Sequence, residues 1–389
     1  MDQNHATGPG ADKAVRPRRR DRQARPCRPT FEGRAAGRPG PVLVADLGAT
    51  YLRVALAWDG ELGPVTRCHT TELAIDPSLG VTPGIVDVMR EVLLGVAHSS
   101  IRGSGTHVEP LAIGLGVPAA VDTVGSVHQA LEIGVPAGTV VRDAIRAAFG
   151  VPVAVDNDAN LAALGEHRRG AGRGTRNFIL LTLGTNIGMG AMVEEQIFRG
   201  ATGGAGEAGM LLVPAETIGS PDVPGDGRLV DAGRLGVGIS RAPEGYAWIE
   251  ELVGGGALAR AAEGWSTPPA AAGSHASSSA RKRPSARVFE QAASGDMRAS
   301  ELVDRAIEGW ALTIANLVAV LDPDAIALSG GLVGDIAPFL DQLRRRVTEL
   351  SRVAPRIVVA ELGPRAGLYG AEIAAVRLAA ELRTDQGAA

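Results

Sequence analysis

Lysine is almost missing from this chain. Of 389 residues, only Lys13 and Lys282 carry an ammonium group. A Walker-type phosphate loop needs a lysine beside its glycines, so that route to a nucleotide is excluded. Phosphate binding must then rely on backbone N–H groups, hydroxyls and a metal ion. Cysteine is as scarce. Cys27 and Cys68 stand far apart, and no disulfide framework or four-ligand zinc site can be built from them. The seven histidines are scattered, with no His-x-His cluster and no Ser–His–Asp spacing. Aromatic residues make up 3% of a chain that is 45% hydrophobic, so the core must come from Val, Leu, Ile and Ala. That composition suits buried strands and packed helices. No uninterrupted apolar run reaches membrane-spanning length, and the Arg-rich start is not followed by the apolar segment of a signal peptide. The expectation is a soluble, cytoplasmic protein with no membrane partner.

Charge is unevenly spread. Residues 1–40 hold nine Arg and Lys13 against four acids, about +6, while the other 349 residues carry 29 basic and 39 acidic groups, a balance of −10. An acidic body offers no general attraction for nucleic acid. The first 40 residues, rich in Arg, Pro and Gly and without apolar periodicity, read as a disordered tail. A second low-complexity stretch, residues 266–286 (STPPAAAGSHASSSARKRPSA), reads as a disordered insertion between ordered helices.

What is present is a repeat. Val42-Leu-Val-Ala-Asp-Leu-Gly-Ala-Thr50 runs into Leu52-Arg-Val-Ala-Leu-Ala-Trp58, and Ile179-Leu-Leu-Thr-Leu-Gly-Thr-Asn186 runs into Gly188-Met-Gly-Ala-Met-Val193. Each copy is an apolar strand, a polar glycine turn and a second apolar strand, with Gly48 matching Gly184 and Asp46 matching Thr182. Further strands are expected at 64–70, 111–117, 151–155, 196–198, 325–328 and 356–360. Helices are expected at 83–98, 139–149, from about 156 to 169, 299–321, 335–350 and 368–383. Strands first in a meander and then alternating with helices predict an α/β fold with mixed sheets. Arranged twice, this plan resembles the actin-like, ribonuclease-H-like fold of sugar kinases.

Five stretches can carry chemistry, and each has a plain structural alternative. In Asp46-Leu-Gly-Ala-Thr50, Asp46 can hold Mg²⁺ through water while the Gly48–Thr50 turn binds phosphate; Asp and Gly are also common in ordinary hairpins. In Gly184-Thr-Asn-Ile-Gly188, Thr185 can offer a hydroxyl and an N–H to a γ-phosphate, or the glycines can serve close packing. Asp158, at a helix start, can take a proton from an attacking hydroxyl. Asn157 and Asp158 are equally the residues that cap helices. Glu207, in Gly203-Gly-Ala-Gly-Glu-Ala-Gly209, can accept hydrogen bonds from sugar hydroxyls or be a solvated acid in a surface loop. Gly330 and Gly331, after a buried strand, can admit an adenosine or merely turn the chain.

These motifs, in this order, resemble the ROK family of repressors, open reading frames and sugar kinases. The matching segments are VADLGATYLRVAL, GLGVPAAVD, VPVAVDNDANLAALGEHRRG, LLTLGTNIGMG, GATGGAGEAG, ANLVAVLDPDAIALSGG and GLYGAEIAA, covering roughly 42–383. The resemblance implies two ribonuclease-H-like (actin-like) lobes with mixed sheets and an interdomain cleft. The N-terminal lobe would be 41–155, completed by helix 368–383, and the C-terminal lobe 156–367. It implies that Asp46, Gly48 and Thr50 bind phosphate and Mg²⁺, that Gly184, Thr185 and Gly188 form a second phosphate turn, and that Gly330 and Gly331 border the nucleotide. Asp158 would be the catalytic base. Asn157, Asp158, Glu207 and Glu250 would bind sugar. Homodimers are usual in such a family. There are departures too. The family's Glu-x-Gly-His becomes Glu207-Ala-Gly-Met210, its Cys-rich motif is missing from 225–250, and a sugar-contacting Asn is replaced, with Glu132 the loosely aligned substitute. No zinc site is expected.

Two functions are compatible with this reading. The first is an ATP- and Mg²⁺-dependent kinase acting on a hexose or amino-sugar hydroxyl. The second is a sugar-sensing transcriptional regulator, hinted at by Tyr51-Leu-Arg53 and by Gly37-Arg-Pro-Gly40. A 40-residue tail is too short for a winged-helix domain, so sequence-specific DNA binding is not expected of this chain. The Arg-rich tail would touch nucleic-acid phosphates without sequence preference.

Overall fold

Two sheets of the same design carry the molecule. The computed structural model describes residues 40–100, 108–129, 134–214, 216, 242–263, 265 and 284–387. The predicted tail up to residue 39, Glu132, and most of 225–250 and of the 266–286 insertion lie outside the described residues.

The chain enters a hairpin of β1 (Val42–Leu47) and β2 (Tyr51–Trp58), and the short strands β3 (Glu61–Leu62) and β4 (Thr66–His69) both pair with β2. Helix α1 (Thr82–Ser100) leads to β5 (Ile113–Val117). Strands β6 (Ala120–Val121), β7 (Ser126–Gln129) and β8 (Thr139–Val140) form a small sheet, and α2 (Val141–Phe149) returns the chain to β9 (Val153–Asn157). The sheet order is β3-β2-β1-β5-β9, antiparallel up to β1 and parallel beyond it.

Helix α3 (Asp158–Arg169) carries the chain to the second hairpin, β10 (Phe178–Leu183) and β11 (Ile187–Val193), followed by β12 (Gln196–Ile197). Strands β13 (Leu212–Pro214) and β14 (Tyr246–Trp248) pair with each other. Then come α4 (Ile249–Val253), α5 (Gly255–Ala261), α6 (Pro284–Ala293), α7 (Met297–Leu321), β15 (Ala325–Ser329), α8 (Val333–Ile336), α9 (Leu340–Leu350), β16 (Ile357–Val359) and α10 (Ala366–Gly387). The second sheet runs β12-β11-β10-β15-β16, again antiparallel on one side of its first long strand and parallel on the other.

Apolar side chains sort into three layers. α1 and α2 cover one face of the first sheet through Ile85, Met89, Val141 and Ile145. α7, with Trp310 and Ile314, covers the far face of the second sheet. Between the sheets lie α3 and α10, where Leu161, Leu164, Leu368 and Ala371 meet Val42 and Val44 from one sheet and Phe178 and Leu180 from the other. These two helices touch backbone to backbone. A Cβ on Gly370 would overlap the carbonyl of Leu161, and one on Gly165 would overlap that of Ala366. The architecture is therefore the paired-lobe α/β fold expected from the repeat.

Several expectations need adjusting. The predicted helix 335–350 is broken into α8 and α9 by a 3₁₀ turn at Ala337–Phe339. Pro338 has no N–H for a continuous ladder, and the break falls there. α6 starts at Pro284, inside the stretch assigned to the disordered insertion. The segment 246–261, left without structure by the sequence reading, contributes β14, α4 and α5.

Candidate active site

The two hairpins end in different turns. Leu47 pairs with Leu52 across four residues, with Gly48 N–H donating to the Tyr51 carbonyl at 3.0 Å. Leu183 pairs with Ile187 across three, with Gly184 N–H donating to the Asn186 carbonyl at 3.1 Å. Ala49, Thr50, Thr185 and Asn186 are exposed at the tips. Thr70 steadies the first tip through its hydroxyl, 3.0 Å from the Ala49 carbonyl. The second tip leans on α5, since Gly255 and Gly256 N–H groups donate to the Gly184 and Thr185 carbonyls at 2.9 and 3.0 Å. Gly330 (φ +96°) lies against the Leu183 carbonyl, which also accepts from Leu332 N–H at 2.9 Å. Gly331 follows on the exposed side of that turn.

Strand register sets one row of side chains across the first sheet: Arg53, Asp46, Gly116 and Asp156. The matching row in the second sheet is Gly188, Thr182 and Ser329. Asp46 is buried between glycines. A Cβ on Gly116 would sit 3.4 Å from its Oδ1, and one on Gly367, at the start of α10, 2.5 Å away. Arg53 Nη1 donates to its Oδ2 at 3.4 Å. Burial outweighs that cation and pushes the Asp46 carboxyl up to about 6.

Helix α3 starts between the rows. The position of a Gly116 Cβ is also 3.4 Å from Asp158 Cα, and that of a Gly188 Cβ is 3.9 Å from Ala159 Cβ. Asn157 caps the helix, its Oδ1 accepting from Ala159 and Asn160 N–H at 2.9 and 3.1 Å, and its Nδ2 donating to the Ala119 carbonyl at 3.2 Å. Asp158 is the first helical residue, half-buried, and its Oδ1 accepts from Ala159 N–H at 2.8 Å. At a helix N-terminus a carboxylate faces the positive end of the aligned peptide dipoles. The capping alternative for Asn157 is thus realised.

Glu207 is open to water yet crowded by the walls around it, and that partial desolvation raises its carboxyl above the ordinary range. Glu250 accepts from Ile187 N–H at 3.3 Å, and the position of a Gly209 Cβ is 2.5 Å from its Oε2. It therefore braces the second hairpin against the loop that carries Glu207. Met210 closes that loop in a 3₁₀ turn, its N–H donating to the Glu207 carbonyl at 3.0 Å. Among the described residues, no three His, Cys, Asp or Glu side chains cluster to hold a metal ion, and no helix is long and apolar enough to cross a membrane.

Sequence reasoning missed Asp156 and Arg199. Asp156 is buried, and its Oδ2 accepts from Arg199 Nε and Nη2 at 2.9 and 2.6 Å. Its neighbours Asn157 and Asp158 drew attention as helix-opening residues, whereas its partner is 43 residues away and is revealed by the fold alone.

The ROK family pattern matches residues 46–377. The chain belongs to the ROK family. It is 30% identical over 332 residues to a glucokinase of Halalkalibacterium halodurans, covering 84% of this chain and 92% of that one. It is 36% identical over 231 residues to the bifunctional enzyme NanE/NanK of Brucella melitensis. That match takes in 59% of this chain, which spans 36% of the length of the bifunctional relative. Among solved structures it resembles the ROK glucokinase of Streptomyces griseus in complex with glucose and AMPPNP, with a TM-score of 0.63 and 27% identity over 87% of this chain and 100% of that one.

Proposed function

We propose that this ROK protein is an ATP-dependent sugar kinase that phosphorylates a hexose or amino-sugar hydroxyl. The observation that carries the reading is the placement of Asp158, a carboxylate at a helix start between the two strand rows that run through the glycine hairpins. The exposed tips Gly48–Thr50 and Gly184–Asn186 supply N–H groups and hydroxyls to the phosphates of ATP, and Gly188, Gly330 and Gly331 keep the neighbouring wall low. Asn157, Glu207 and Glu250 surround the acceptor sugar. Asp158 accepts the proton of the attacking hydroxyl as that oxygen bonds to the γ-phosphorus and the bond to the β-phosphate oxygen breaks.

The donor set at Asp46 fits Mg²⁺, which keeps most of its waters and needs only one or two protein carboxylates. Glycines at 116 and 367 leave room beside Asp46 Oδ1. When bound, the ion neutralises charge on the phosphate oxygens.

The lobe boundaries belong to the same reading: 41–155 and 156–367, with 368–383 completing the first. The packing of α10 on β1, β5 and β9 supports this. A cytoplasmic location and a homodimer are further parts of the proposal, and size-exclusion chromatography checks the second. The test of function is ADP release over a panel of glucose, mannose, N-acetylglucosamine and N-acetylmannosamine. Turnover with one or more of them, lost in Asp158→Asn, is expected. Sugar binding without any ADP release would instead indicate a sensor.

A further inference from the structure

The loop bearing Glu207 reaches the site through one charged tie. Arg199, at the start of that loop, places Nε and Nη2 on the Oδ2 of Asp156 at 2.9 and 2.6 Å. The other oxygen of Asp156 accepts from Asn157 N–H at 2.8 Å and from Asn160 Nδ2 at 3.0 Å. The carboxylate, 7% exposed, thus has four donors around it and no room to swing. It is tied to Asn157, one residue before Asp158, and to Asn160, two residues after it. At the other end, the Arg199 carbonyl accepts from Ala205 N–H at 3.1 Å, closing 199–205 into a compact turn.

Two backbone contacts seat the rest of the loop. Gly203 (φ +81°) lies so close to β6 that a Cβ would overlap the Val121 carbonyl, and Gly206 (φ +105°) lies in the same way on the Met189 carbonyl of β11. β6 follows Ala119, whose carbonyl accepts from Asn157 Nδ2. These glycine contacts have no side chain to hold them and form only if the loop arrives in register. The Arg199–Asp156 pair sets that register, because a two-pronged charge-assisted bond fixes direction as well as distance.

We propose that Arg199 is a positioning residue for the acceptor sugar. Gripping Asp156, it holds the Glu207 loop over Asp158, so that it governs affinity for the sugar and leaves affinity for the nucleotide alone. The kinetic half of this inference rests on the kinase reading above; the binding half does not. Lysine cannot reproduce the fork of a guanidinium but keeps the charge, so a graded response is expected.

The experiment compares wild type with Arg199→Met, Arg199→Lys and Asp156→Asn. Sugar Kd is measured by calorimetry without nucleotide, using whichever sugar of the four-member panel binds wild type most tightly. KM for that sugar and for MgATP come from ADP release, and thermal melting identifies variants that remain folded. Arg199→Met is expected to raise sugar Kd and KM at least tenfold, and Arg199→Lys to recover part of the loss. MgATP KM should stay within twofold in both. A folded Arg199→Met with sugar Kd within twofold of wild type overturns the inference, as does an equal rise in sugar and MgATP KM. Should Arg199→Met not fold, an Arg199→Lys variant with unchanged sugar Kd also overturns it. Wild type that binds sugar without releasing ADP contradicts the kinase reading alone, and the sugar Kd series still decides the role of Arg199.

Discussion

Asp46→Asn replaces one carboxylate oxygen by an amide in a site where the carboxylate is held at a cost. Burial raises the Asp46 carboxyl from 3.8 to about 6, against the opposing pull of Arg53. A raised folded-state value means that the fold binds the proton more tightly than the unfolded chain does. Stability therefore falls as pH climbs from 3.8 to 6, and the full penalty applies above 6. The difference of about 2.2 units, at 1.36 kcal/mol each, is about 3 kcal/mol at pH 7.5. Asparagine has nearly the same shape and no charge to desolvate, so Asp46→Asn should be more stable than wild type by about that amount at pH 7.5 and nearly equal to it at pH 3.5. The assay is urea unfolding at both pH values, with EDTA and without nucleotide, because a bound divalent cation would relieve the penalty. The same substitution should abolish turnover. A lower or unchanged urea midpoint at pH 7.5, or a gain independent of pH, refutes the reasoning.

Other outcomes follow from the same geometry. Asp158→Asn should lower kcat by about 10²–10⁴-fold with sugar and MgATP KM little changed, read by ADP release. Glu207→Gln should weaken sugar binding about tenfold at pH 8 and flatten its pH dependence; in wild type, affinity should drop as acid protonates the raised Glu207 carboxyl, measured by calorimetry from pH 8 to 5. Glu166 is fully buried and accepts from the backbone N–H groups of Ala171, Glu361 and Leu362. Glu166→Ala strands all three and should cost roughly 3–5 kcal/mol in urea unfolding.

Local chemistry made the hairpins legible in the sequence. An apolar run, a glycine turn and a second apolar run can bury both strands in only one way, and the repeat doubled that signal. The place of Asp158 at a helix start was legible for a similar reason, since Asn157 and Asp158 precede an apolar-periodic stretch. The one-residue difference between the two turns was not legible, because it is fixed by the pairing of Leu47 with Leu52 and of Leu183 with Ile187. Nor was the support given by Gly255 and Gly256 to the second tip. That segment is too short and glycine-rich to announce a helix, and it follows directly on α4, where the Trp310 indole N–H donates to the Val253 carbonyl at 3.1 Å. Arg199 and Asp156 were hidden for the most general reason. A charged pair is defined by where two distant segments come together, and neither residue carries a local pattern that names its partner.

The central claim is that two glycine hairpins hold a triphosphate beside the Asp158 carboxylate. Calorimetry with AMPPNP, Mg²⁺ and a turned-over sugar tests it most directly, run on wild type and on Asp158→Asn. The account predicts saturable nucleotide binding of similar affinity in both proteins, with phosphoryl transfer from ATP in wild type alone. Wild type that takes up no nucleotide, or an Asp158→Asn variant that transfers phosphate at the wild-type rate, would contradict it.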